Sequence, residues 1–188
     1  VGDRVYVTLG IDAPATVLNA ATGETVATCE GSAFTREIVV VQDTALLVAG
    51  QEKSRLPDFR RVGTYTWSNT KASNAKWGWE GASRNILACD AKSGKVRWQR
   101  EFPVAPCSLA ADATSIVFHT GQKLVCLERI TGKTRWEGED TALKLPVQSN
   151  TGPRVLIYND MVLFASGNRK VSGWTLTEGK KVWEQTQK

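Results

Sequence analysis

Short apolar runs bounded by polar turns recur along the whole chain and predict β-strands. Arg4-Val5-Tyr6-Val7-Thr8, Glu37-Ile38-Val39-Val40-Val41, Ala45-Leu46-Leu47-Val48-Ala49, Ser115-Ile116-Val117-Phe118-His119, Val155-Leu156-Ile157-Tyr158 and Met161-Val162-Leu163-Phe164-Ala165 are the clearest. The links between them, such as Asp112-Ala113-Thr114 and Asn159-Asp160, are short and turn-like.

A longer unit repeats on top of this pattern. Leu87 to Trp98 aligns without a gap on Val125 to Trp136, with Gly, Lys, Arg and Trp identical in place. A third copy runs from Val171 to Trp183, and a degenerate one from Thr16 to Ala27, with Ala27 where the Trp belongs. Each copy predicts a hairpin. Asp90, Glu128 and Asn19 stand four residues before Gly94, Gly132 and Gly23. Their side chains can accept hydrogen bonds from the turn's backbone, while these glycines and Gly179 supply the positive φ of the turn. Another strand pair precedes each hairpin, and four short antiparallel strands per unit is the pattern of a β-propeller blade.

The spacing then sets the organisation. The motif glycines fall at 23, 94, 132 and 179, in steps of 71, 38 and 47 residues, and only the first step exceeds a blade of roughly 40–50 residues. The chain is therefore expected to be all-β, with about four blades at about 1–31, 33–102, 107–138 and 153–185. An insertion over 51–85 interrupts the second. It carries Phe59, Tyr65, Trp67, Trp77 and Trp79 among Arg55, Arg60, Arg61, Lys71, Lys76 and Arg84. Trp67, Trp77, Trp79 and Arg84 form the candidate binding set, because exposed Trp with Arg is characteristic of interaction hot spots. Folding back as a lid over the blade is the other reading, since exposed Trp residues are costly.

The motif Ala88-x-Asp90-x-x-Ser93-Gly94-Lys95-x-x-Trp98 resembles the tryptophan-docking motif of the quinoprotein alcohol dehydrogenase-like, or PQQ-like repeat, propellers. The resemblance covers most of the chain outside the insertion. It implies that Trp98, Trp136 and Trp183 stack between neighbouring blades, with Ala88, Asp90, Gly94, Glu128, Gly132 and Gly179 completing the docking motif. Export to a periplasm or cell surface is also implied. The likeness is closer to the non-enzymatic outer-membrane-assembly repeat proteins than to the dehydrogenases. Dehydrogenases of the family hold pyrroloquinoline quinone and calcium, and several have two adjacent cysteines against the cofactor; no Cys-Cys pair occurs here.

Candidate chemistry adds little. Cys29, Cys89, Cys107 and Cys126 lack C-x-x-C spacing and are expected to be reduced and buried. His119, the sole histidine, is expected to be solvated at a hairpin tip, and Glu137 and Glu139 to lie in a solvated turn. Lys95, Arg97, Lys133, Arg135, Lys180 and Lys181 are expected to protect an outer edge from stray pairing, with no ligand. The composition, 41% hydrophobic and 23% charged, is that of an ordinary globular protein. A net charge of +5 is spread without a basic run, which argues against nucleic acid. No apolar stretch is long enough to span a membrane.

No catalytic residue, metal site or cofactor is expected. The leading expectation is a non-catalytic scaffold or binding module, belonging to a longer exported protein or closed into a ring by another chain. A fragment of a quinone- and calcium-dependent dehydrogenase and a recognition domain beside a separate catalytic domain are the alternatives.

Overall fold

The computed structural model describes residues 2–53, 78–147, 152–167 and 169–186. All regular structure among them is β, in four antiparallel sheets. The first contains β1 (Arg4–Thr8), β2 (Ala15–Asn19) and β3 (Thr25–Thr28). The second contains β4 (Thr35–Val41), β5 (Thr44–Ala49), β6 (Arg84–Asp90) and β7 (Val96–Phe102). The third is β8 (Ala110–Ala111), β9 (Ser115–His119), β10 (Lys123–Glu128) and β11 (Thr134–Asp140). The fourth is β12 (Arg154–Tyr158), β13 (Met161–Ala165), β14 (Lys170–Thr175) and β15 (Lys181–Thr186). Strand order follows chain order in every sheet, so each is a meander. The inner strands lie side by side, β4 against both β1 and β8, and β8 against β12. The result is an unclosed propeller of four blades.

Middle strands are buried on both faces because each blade is sandwiched by its neighbours. β5 and the centre of β6 are solvent-free, as are Ile116, Val117 and Phe118 of β9. One apolar cluster seals the first two blades (Ala15, Cys29, Ala45, Leu47, Cys89), another the second and third (Leu46, Ile86, Phe118, Leu127), and a third the last two (Val117, Leu124, Trp136, Phe164, Trp174). Non-directional burial of this kind holds blade to blade. A register shift recurs at one point in all four sheets, after Val17, Ala88, Cys126 and Gly173. A bulge there sharpens local twist just ahead of each motif turn.

Several expectations change. Arg84 and Asn85, assigned to the insertion from sequence, are strand residues of β6 opposite Phe102 and Glu101. Their polar side chains hid the start of the strand. The strand expected over Ser108–Ala113 shrinks to Ala110–Ala111, because the Leu109 N–H is taken by the Glu37 carboxylate across the blade boundary. Glu137 and Glu139 lie on β11, exposed and paired with Lys123 and with Lys181 of the next blade.

His119 is the largest correction: it is solvent-free, with its ring stacked on Phe164 of the fourth blade at 4.7 Å between centroids. The neighbouring blade covers the hairpin tip, which one repeat read alone does not reveal. The cysteines divide. Cys29, Cys89 and Cys126 are buried and Cys107 is exposed, none in a disulfide. Burial pushes the Cys126 thiol up to about 11. A thiol-specific disulfide reagent is accordingly expected to modify Cys107 promptly in the native protein and the other three only on unfolding. A second promptly reacting thiol would contradict the burial pattern.

Candidate functional site

The four motif turns share one hydrogen-bond scheme. The Gly N–H donates to the carbonyl four residues back (Gly23 to Asn19, Gly94 to Asp90, Gly132 to Glu128, Gly179 to Thr175). That earlier residue's own N–H returns to the carbonyl just after the Gly. Asn19 Oδ1 accepts from the Ala21 and Thr22 amides, and Asp90 Oδ1 from Lys92 and Ser93. Backbone geometry requires Gly, with φ of 68° at both Gly132 and Gly179.

Two of these turns receive a tryptophan from the preceding blade. Trp98 lies over Gly132 and donates its Nε1–H to the Arg129 carbonyl at 2.9 Å, while Trp136 lies over Gly179 and donates to the Leu176 carbonyl at 2.7 Å. In both, the acceptor is three residues before the Gly. A Cβ on Gly179 would stand 2.3 Å from the Trp136 ring, so the missing side chain is the seat for the indole. Ala88, Cys126 and Gly173 stand opposite Trp98, Trp136 and Trp183 in their own sheets, small residues that leave room for the rings.

The boundary between the first two blades solves the same problem differently. With Ala27 in the Trp position, the Gly94 turn closes directly onto the β3 backbone, where a Cβ would meet the Thr28 oxygen at 2.7 Å. The equivalent acceptor, the Ala91 carbonyl, takes its hydrogen bond from Tyr6 Oη of β1 at 2.9 Å. Sequence reading missed this residue; a polar-tipped aromatic in an otherwise aliphatic strand was the available signal. Burial raises the Tyr6 phenol above its usual range, so it stays a donor at neutral pH. Tyr6→Phe is expected to lower unfolding free energy by about 1 kcal/mol, measured by urea denaturation. No change would mean that the Ala91 carbonyl finds another donor.

Charged groups lock the second and third blades together. Arg97 bridges Asp43 and Asp90 at 2.8 and 2.6 Å, so it is a structural pivot and not the simple edge charge expected from sequence. Buried Arg129 reaches across to Asp43, Thr44 and Gln42 while its Nε–H donates to the Ala113 carbonyl. The Arg97 hydrogen bond holds Asp43 below the usual carboxylate range. Asp90 is lowered first by the Ser93 amide and then by Arg97.

At the inner edge, Glu37 of β4 reaches the Leu109 amide of the third blade at 3.2 Å, leaving its Oε2 buried without a protein partner among the described residues. Burial raises its carboxyl to about 6 and lowers nearby Arg84 to about 10. Arg84 in turn lies 5.8 Å from the Trp79 ring centroid. Trp79 is buried, bonded through Nε1 to the Ala82 carbonyl, bridged to Val147 and set against Gly121. It packs as an anchor on the third blade, whereas the candidate set required an exposed contact. Trp67 and Trp77 lie outside the described residues. Arg84 and Arg154 oppose the rise at Glu37 through their charge, and among the described residues no group of three or more His, Cys, Asp or Glu is placed to hold a metal ion.

A family model described as outer membrane protein assembly factor BamB matches residues 79–188, more than half of the chain. The chain belongs to that family. Among solved structures it is similar to BamB from Moraxella catarrhalis, at 17% identity and a TM-score of 0.55 over 98% of this chain and 46% of that one. The computationally designed Ika8 protein gives 11% identity and a TM-score of 0.64 over 98% and 46%. A quinohemoprotein alcohol dehydrogenase, ADHIIG from Pseudomonas putida HK5, gives 11% and 0.61 over 99% and 33%. At these identities the likeness shows the fold alone, a PQQ-like repeat propeller. The chain spans just under half the length of the first two and a third of the last. No curated protein sequence matches it.

In this BamB-type propeller the two ends of the described arc differ from its interior. Trp183 occupies the docking position of the fourth blade yet is 38% exposed, lying over Gly173 of its own sheet. At the other end the Gly23 turn has the full hydrogen-bond scheme, and no atom of the described residues lies within 4 Å of where a Cβ would stand.

Proposed function

We propose that this chain is a non-catalytic propeller module that mediates protein interaction within a larger exported bacterial protein, acting in the periplasm. The carrying observation is the flank of the fourth blade, where Leu156, Tyr158, Val182 and Trp183 are exposed large apolar side chains, 57%, 66%, 58% and 38% respectively. Apolar surface of this kind is costly to leave in water and marks contact with further polypeptide, either of the same larger protein or of a partner. Membership of a family described as an outer-membrane protein assembly factor supports partners among exported proteins. Trp67 and Trp77 of the insertion are the second candidate contact of this role. No quinone or calcium is needed for this role.

The test places a photo-crosslinking residue at Trp67, Trp77 or Tyr158 in the full-length exported protein. Adducts with envelope proteins, outer-membrane proteins foremost, are expected. Absence of adducts at all three positions overturns the interaction role. Turnover of an alcohol by the protein supplied with pyrroloquinoline quinone and calcium overturns the non-catalytic one.

A further inference from the structure

We infer that Cys29 and Cys89 are the two halves of a disulfide, formed by oxidation as the chain folds, that ties the first blade to the second. The structure holds both as thiols, buried in one apolar cluster with Ala15, Ala45 and Leu47. A disulfide-bearing oxidant such as glutathione disulfide completes the chemistry. The exported location proposed above would provide one, but the pairing itself stands on geometry.

The repeat places these two positions face to face. Cys29 stands two residues after Ala27, as Gly138 stands two after Trp136, and Cys89 follows Ala88 as Trp174 follows Gly173. Cys89 and Trp174 also share a register, opposite Val96 and Lys181 just past the bulge. At the boundary of the third and fourth blades the equivalent pair is in contact: a Cβ on Gly138 would stand 3.4 Å from the Trp174 ring. There a glycine makes room for a large partner. At the first boundary both positions carry cysteine, and the two thiols are hydrogen-bonded to each other. The backbone on either side is fixed. The Cys29 N–H donates to the Ala15 carbonyl at 2.9 Å, a Cβ on Gly94 would lie 3.3 Å from the Cys29 nitrogen, and Cys89 sits between Ala45 and Val96 in the second sheet. Two thiols in contact on apposed backbones can be bridged without large movement. Cys126 belongs to the cluster between the third and fourth blades and offers neither of them a second partner.

The bridge falls at the boundary that lacks a docking indole. Tyr6 replaces the missing hydrogen bond there, and the disulfide supplies a covalent tie where Trp98 and Trp136 supply buried area. It closes a loop that contains β4, β5 and the whole insertion, so it restricts the unfolded chain at its longest connection, and such restriction grows with loop length. The Cys89 S–H donates to Cys29, which favours the Cys29 thiolate and makes it the attacking sulfur. Cys29 attacks one sulfur of glutathione disulfide, forming a mixed disulfide and releasing a first glutathione. Cys89 then gives up its proton, attacks the Cys29 sulfur and releases a second. Two protein thiols are oxidised to one disulfide, and glutathione disulfide is reduced to two thiols that carry the two protons. Because Cys29 and Cys89 are 1% and 0% exposed, the exchange takes place before the boundary closes. The reduced chain keeps the thiol reactivity described above.

The test refolds the 188-residue chain from urea in a mixture of reduced and oxidised glutathione, with Cys107→Ser to remove the exposed thiol. Thiol titration in denaturant is expected to find Cys126 alone, whereas the same chain refolded with reductant shows Cys29, Cys89 and Cys126. Peptide mapping is expected to link the segment of Cys29 to that of Cys89. The oxidised chain is expected to melt about 5–10 °C above the reduced one. Adding Cys89→Ala, or Cys89→Ser if that variant does not fold, is expected to keep the circular dichroism of the reduced chain and to abolish the difference in melting. Three titratable thiols after oxidative refolding, a linkage other than Cys29 to Cys89, or a bridge that lowers the melting temperature overturns the inference. None of these results bears on the crosslinking at Trp67, Trp77 and Tyr158, which decides the interaction reading by itself.

Discussion

Trp136→Ala is expected to reduce unfolding free energy by about 3–5 kcal/mol, the range for removing a large buried aromatic side chain. The indole is 8% exposed, packs in the cluster with Leu124, Phe164 and Trp174, and covers Gly179. Truncation therefore leaves a cavity between two blades. It also strips the Leu176 carbonyl of its Nε1–H donor at 2.7 Å. The neighbours cannot collapse into the space, because the turn that forms its floor is fixed by the Gly179-to-Thr175 hydrogen bond. Trp183→Ala, the same change in the same motif position, is expected to cost the 188-residue chain far less, since among the described residues that ring packs over Gly173 of its own sheet and against no second blade. Urea denaturation of the two variants checks the contrast. Equal losses would show that the motif tryptophan stabilises its own sheet instead of the boundary.

The second large effect is on pH dependence. His119 accepts the Gly121 N–H at Nδ1, at 2.9 Å, so its proton is on Nε2, which donates to Thr141 Oγ1 at 3.0 Å. Burial pushes its pKa from 6.5 down to about 4. A depressed histidine pKa means that the unfolded chain takes up a proton first as the pH falls. The stability associated with neutral His119 is thus complete above about 6.5 and is lost progressively toward pH 4, by about 3 kcal/mol. Glu37 acts in the opposite sense: its carboxyl, raised to about 6, keeps a proton in the folded state that the unfolded chain has released, so its contribution declines as pH rises from 4.5 to 6. The readout is accordingly the difference between proteins. Between pH 7 and pH 4.5, wild type is expected to lose about 2–3 kcal/mol more than His119→Asn, in which Oδ1 can still accept from Gly121. Parallel pH profiles would place His119 in contact with water.

What sequence revealed of the fold was its local part. The four hairpins are written in Asn19, Asp90, Glu128 and the motif glycines, because a turn's hydrogen bonds and positive φ are satisfied within a few residues. Relations between blades were legible only where one residue type has a single use, as Trp98 and Trp136 do. The rest depend on which side chains meet after assembly. His119 looks like a hairpin tip until Phe164 arrives from another blade. Arg97 looks like an edge charge until Asp43 is placed between it and Arg129. Tyr6 takes over from a missing indole without any motif of its own. Trp79 entered the candidate set through its composition-rich surroundings, whereas its pairing with Val147 draws on a segment far along the chain.

The connection between β5 and β6 has a consequence for how the molecule is made. Elsewhere adjacent strands are joined by short links, so pairing can begin as soon as both are synthesised, but Ala49 and Asn85 must meet across the whole insertion. Bringing the ends of a connection together costs about 0.6 kcal/mol more for each doubling of its length, which makes this the costliest pairing to close among the described strands of one sheet. The third and fourth blades can each form as local meanders while the second waits, and its two halves meanwhile expose the edges of β5 and β6. In folding order, the second blade completes last, although it stands early in the sequence.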